Sequence, residues 1–156
     1  MHVRNSQPCH HQPRAAAGAA LERQQRHAHD KQVFQILLDR HDHIRREVFL
    51  DDRGMRALTR SDDPELVALL HDHVPAMHRR LQEGFALRRW DPLYNAIFEH
   101  ADQIHMHITL LADGVEVVET GDTPEVVALL HAHAKAVDGF VARGREAAAN
   151  PTEVPA

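Results

Sequence analysis

Residues 68–73 read ALLHDH, and residues 128–133 read ALLHAH. One apolar run, closed by two histidines two positions apart, thus occurs twice at an offset of 60 residues. Sliding the chain against itself by that offset aligns 31–84 with 91–144 without a gap. Asp42 meets Asp102, Ile44 meets Ile104, Leu50 meets Leu110 and Gly54 meets Gly114. Asp62-x-Pro64-Glu65 meets Asp122-x-Pro124-Glu125, and Gly84 meets Gly144. Self-similarity at a fixed spacing marks a repeated supersecondary unit, so we read repeat one at 31–84 and repeat two at 91–144.

Each copy reads α-β-β-α. KQVFQILLDRH and DPLYNAIFEHA carry apolar residues at helical spacing, Val33, Phe34, Leu37 and Leu38 in one and Leu93, Tyr94, Ile97 and Phe98 in the other. Asp91 and Pro92 form a helix-start pair. Two alternating runs follow around a turn: Ile104, Met106, Ile108 and Leu110, then ADG, then Val115 and Val117. The first copy has Ile44, Val48 and Leu50 before DDRG, with Arg46 where the second has Met106. A long helix closes each unit, started by Asp62 or Asp122 as cap with Pro64 or Pro124 in the first turn, and stopped by Gly84 or Gly144.

A lone hairpin cannot hold a core. The reading is therefore an α+β fold in which two α-β-β-α units share an antiparallel sheet of about four strands, helices on one face, about a pseudo-twofold axis. Residues 1–30 mix Pro, Gln, Arg, His and Ala without sustained period and read as a disordered arm with a helical end. Residues 31–146 read as one duplicated domain and 147–156 as a flexible tail. Trp90, in the link between repeats, is expected to pack over the junction.

Several function classes are excluded or left without support. At 156 residues, 43% hydrophobic and 26% charged, the chain has ordinary globular composition and no apolar run near the roughly 20 residues of a membrane span. A net charge of −5, with arginines interleaved among acids, speaks against a phosphate-binding face and hence against nucleic acid. The one cysteine, Cys9, permits neither an intramolecular disulfide nor a cysteine zinc site. There is no Gly-rich phosphate loop and no G-x-S-x-G elbow, and Asp62, Asp63, Glu65, Asp122 and Glu125 are accounted for at helix starts, so no catalytic residue is assigned. No export signal is visible, which makes the cytoplasm the default compartment and the periplasm or export the alternative.

Histidine is the unusual component, with 15 residues; protonating all of them would carry the formal charge from −5 to +10. On a helical wheel with Leu70 at zero, His71 falls at about +100°, on the shoulder, and His73 at about −60°, among Leu66, Leu69 and Met77. His131 and His133 repeat that division. His73 and His133 are thus expected in or beside the core, whereas His71 and His131 need no role beyond solubility. His41 continues the stripe of the first helix by following Leu37 by four positions, and its counterpart is Ala101. His29, just before that helix, is placed to cap its start and reach the same region. His105 and His107 alternate with apolar residues and point away from the core, while His2, His10, His11 and His27 belong to the arm.

A buried imidazole needs partners for its nitrogens or costs about 1–3 kcal/mol for each unmet group. Backbone carbonyls, carboxylates or water are the ordinary solution. A transition metal such as zinc, copper, nickel or iron, or a haem iron, is the functional one, with His73 and His133 as cofactor ligands and His29, His41, His73 and His133 as the metal set.

The chain from about His27 to Gly144 also resembles an uncharacterised family of small bacterial proteins. The match rests on VFQILLDRHDHIRREV, TRSDDPELVALLHDHVPAMHRRLQEG, WDPLYNAIFEHADQI and GVEVVETGDTPEVVALLHAHAKAVDGFVARG. Its members repeat a D-x-P-x-V-x-x-L segment with a histidine ending each apolar run, which points to the same His41, His73 and His133. No activity accompanies the resemblance, and many of its relatives look exported, from which this sequence departs in showing no signal peptide. The sequence therefore leads to a His-rich binding protein holding a transition metal or haem. The alternative is a structural or interaction module, possible as a homodimer, whose histidines serve core hydrogen bonds or make stability depend on pH.

Overall fold

The computed structural model describes residues 13–84, 88 and 90–155. Its elements run α1 (Pro13–Asp39), a 3-10 turn (His41–His43), β1 (Ile44–Leu50), β2 (Gly54–Ser61), α2 (Pro64–Glu83), α3 (Pro92–Glu99), a second 3-10 turn (Ala101–Gln103), β3 (Ile104–Leu111), β4 (Gly114–Gly121), α4 (Pro124–Arg143) and α5 (Arg145–Ala148). The fold is the expected α+β one, a single antiparallel sheet in the order β1-β2-β4-β3. From β1 to α2 and from β3 to α4, each element of the first half begins 60 residues before its counterpart in the second.

The sheet register has the same relation. Ala57 pairs with Val117, its own counterpart, and Gly54↔Thr120 is mirrored by Arg60↔Gly114. The strands approach closely at those glycines: a Cβ on Gly54 would sit 1.9 Å from the Glu119 carbonyl oxygen, and one on Gly114 would sit 1.9 Å from that of Thr59. No side chain fits there, so glycine is required at both ends of the central pairing. Strand alternation sends Ile44, Arg46 and Val48 inward with Met55, Ala57 and Thr59, and Val115, Val117 and Glu119 with Ile104, Met106 and Ile108.

Each long helix lies across the other half's hairpin, α2 on β4 and β3, α4 on β2 and β1, in addition to strands of its own half. The shoulder histidines fasten this exchange. Nε2 of His71 bonds the carbonyls of Leu111 and Gly114 at 2.9 and 2.8 Å, and Nε2 of His131 bonds those of Asp51 and Gly54, both at 2.8 Å. One N–H shared between two carbonyls closes the mouth of each hairpin, so the reading of His71 and His131 as mere solubilising residues is corrected.

Four further expectations change. The helix caps are Asp63, accepting from Glu65 N, and Thr123, accepting from Val126 N, one residue later than expected, because each proline is the first helical residue and its predecessor must be the cap. Asp62 and Asp122 instead meet Arg45 and His105. The arm expected to be disordered over 1–30 is helical from Pro13; of that expectation, residues 1–12 lie outside the described residues. Its Ala-rich start favours helix, and the ion pairs Arg26–Glu83, His29–Asp72 and Asp30–Arg80 tie it to α2.

The tail expected to be loose is anchored at its start, since α5 forms and both Thr152 N and Thr152 Oγ1 donate to Asp91 Oδ2. Trp90 is 54% exposed; rather than covering the junction its ring carries the Arg88 guanidinium at 4.4 Å. Among the described residues no helix is long and apolar enough to cross a membrane.

The core falls into two main clusters. One joins Val33, Leu37, Ile44, Leu66, Leu70 and Val115; the other joins Leu81, Leu93, Ile97, Ile104, Val126, Leu129 and Leu130. They do not merge, and a cavity lies between them.

Candidate functional site

That cavity measures about 190 Å³ and draws its walls from both clusters, with Leu37, Ile44 and Leu70 on one side and Leu81, Ile97 and Ile104 on the other. His41, His73 and His133 all line it. His29 does not. It lies on the outer side of α1, where Nε2 meets Asp72 Oδ2 at 2.8 Å, a hydrogen bond that raises its pKa. His105 and His107 are exposed, as their alternation implied.

The three cavity histidines differ in chemistry. His41 follows the end of α1, and its Nδ1–H donates to the Val141 carbonyl at 2.7 Å. That bond fixes the tautomer and leaves Nε2 as the lone-pair atom. His73, on α2, stacks on Phe34 at 5.6 Å with the rings 10° apart. Desolvation pulls its pKa down to about 4, the nearby charges of Asp30 and Asp72 opposing the shift. Its Nδ1 is sealed without a hydrogen-bond partner.

His133, on α4, has Nδ1 sealed and unbonded as well, but Glu119 Oε2 stands 3.8 Å from it, too far for a hydrogen bond and close enough to orient charge. The Tyr94 ring meets His133 edge-on at 5.5 Å, and desolvation pushes the Tyr94 phenol pKa upward.

The two halves differ at this wall. Arg46 pairs across the strands with Thr59, donating to its hydroxyl at 3.1 Å, where the second half pairs Met106 with Glu119. His41 stands opposite Ala101, Phe34 opposite Tyr94, and Arg80 opposite Phe140 in the repeat alignment. Each arginine of the wall pairs with an aspartate, Arg46 with Asp138 at 2.8 Å, Arg80 with Asp30 at 2.7 Å and Arg88 with Asp91 at 2.9 Å, while Nε of Arg88 is buried without a partner. Among the described residues Glu119 is the only acid on the wall, and it is 3% exposed. It was missed in the sequence, although a signal was there: it continues the inward row Val115, Val117, and a charge on an apolar strand face needs a reason.

Among the described residues His41, His73 and His133 form no set of three ligand atoms within 4.8 Å of one another. Among the described residues the only set of three candidate ligand atoms within 4.8 Å of one another is His29, Asp30 and Asp72, and Arg80 already binds the Asp30 carboxylate there. His73 has no acceptor for the second N–H that a ligating imidazole normally donates, whereas His41 has one in Val141. No protein-family model, no curated protein and no solved structure matches this chain.

Proposed function

We propose that this is a binding protein whose ligand occupies the cavity between the two core clusters and meets the imidazoles of His73 and His133. One observation carries the reading: two imidazoles at matched positions of α2 and α4 line one apolar cavity, each with Nδ1 buried and without a hydrogen-bond partner. An imidazole in an apolar surround is costly while its nitrogens lack partners, and a ligand that pairs the ring nitrogen facing the cavity offsets part of that cost. A void of about 190 Å³ is also wide enough for a small organic molecule, since an apolar cavity of about 150 Å³ takes up benzene.

A transition metal or haem iron is the second reading. It is favoured by His41, whose Nδ1–H bond to Val141 leaves Nε2 in the form that ligates metal. His73 and His133 would complete the nitrogen set after a rearrangement that brings the rings together; a haem requires the helices to part.

Ligand binding to the folded state alone raises the melting temperature with concentration. Toluene, zinc, copper, nickel and haemin are titrated in turn against the untagged protein, with metal analysis and the haem absorption band read in parallel. Val137→Phe, which fills the cavity, is expected to abolish the toluene response and keep the fold. If the wild type responds to none of the five, the reading is overturned.

A further inference from the structure

Resting on the cavity as the binding site, we infer that its organic ligand is a neutral one-ring hydroxyarene, a phenol, whose ring lies among aromatic and methionine side chains and whose O–H donates to Glu119. Size sets the first limit, because about 190 Å³ is close to the space known to take up one benzene ring and so suits a ligand of about that size. The wall sets the second. Phe34 stacks on His73, Phe140 meets Phe34 edge-on at 5.6 Å, and Met77 and Met106 add polarizable sulfur, all surfaces that favour an aromatic ring.

Charge sets the third limit. A carboxylate ligand would need a cation, and Arg46, Arg80 and Arg88 are each held by an aspartate. It would also meet Glu119, the only acid on the wall among the described residues. A purely apolar ring would leave the Glu119 oxygens without a donor. A hydroxyl both donates and accepts, so it satisfies Glu119 and leaves a lone pair for an imidazole N–H. The copies differ here, with Thr59 and Arg46 on one side and Glu119 and Met106 on the other, so the ring has one favoured orientation rather than two.

The test compares phenol, toluene and benzoate on the full chain, followed by the methyl resonances of Met77 and Met106 and by calorimetry. Phenol is expected to bind at least about ten-fold tighter than toluene, the range of a hydrogen bond to a charged group. Benzoate is expected to leave both methyl signals unmoved. Glu119→Gln should bring phenol to within about three-fold of toluene and leave toluene unchanged. If that variant does not fold, contacts from the bound phenol ring to both methyls in the wild type locate the ligand instead, and their absence overturns the inference. Equal affinity for phenol and toluene overturns the ligand class and leaves the cavity reading standing. Tightest binding of benzoate overturns the charge argument. Binding of none of the three overturns the organic-ligand reading itself, and with it this inference.

Discussion

His73 is kept neutral by its surroundings, and that has a measurable consequence. Its pKa falls from 6.5 to about 4 in the folded protein, chiefly through desolvation. The unfolded chain takes up the proton near 6.5, so between pH 6.5 and 4 the unfolded state binds more protons and stability declines as the pH is lowered. Complete, the effect is worth roughly 3 kcal/mol. Thermal melts between those values should show a falling melting temperature, with a shallower slope in His73→Gln; equal slopes in variant and wild type would refute the assignment. The wheel placed this residue inward from spacing alone, because a helix repeats its direction every 3.6 residues. It did not reveal the neighbours that set its chemistry, Phe34 and Asp30 from α1 and Asp72 beside it.

Among the elements, the helix-to-hairpin staples are the feature least legible in the sequence. His71 and His131 stand on the shoulder of an amphipathic helix, a position that ordinarily faces water. They became structural because α2 and α4 each cross onto the other half's hairpin, where two carbonyls converge on one ring nitrogen. His71→Ala and His131→Ala are each expected to cost about 1–2 kcal/mol in urea unfolding. Hydrogen exchange gives the sharper check. His71→Ala should speed exchange around 111–114 and His131→Ala around 51–54, in each case in the half that does not carry the substitution. Loosening confined to the mutated helix would sink this account.

For the molecule as a whole, one fully buried carboxylate joins segments that the sequence separates. Asp91 has no exposed surface; it caps α3 at Leu93 N, pairs with Arg88 and receives two hydrogen bonds from Thr152. Arg88 in turn donates to the Ala148 and Asn150 carbonyls. Asp91→Ala strands the Arg88 charge in the interior and is expected to destabilise by about 3–5 kcal/mol. It should also release the tail to carboxypeptidase, while Thr152→Val should release the tail with a much smaller loss of stability. An intact tail in Asp91→Ala would show that the chain end is held by other contacts. Asp91 and Pro92 announced a helix start in the sequence, and the cap is there. Its second role was not legible, because Thr152 lies 61 residues further along the chain.

By itself the sequence determined the α+β class, the four antiparallel strands, the 60-residue offset of the elements and the inward position of His73 and His133. Those follow from local periodicity, turn residues and self-similarity, all carried by neighbours in the chain. Only the tertiary structure decided that each long helix covers the other half's hairpin, that the two core clusters stay apart, and that Glu119 and Arg46 stand on the wall between them. Such facts depend on contacts between distant residues, and at the places where the two halves differ no periodicity records them. The repeated ALLHDH and ALLHAH thus hold two jobs each: an outer histidine that fastens the halves together, and an inner one that lines the space left between them.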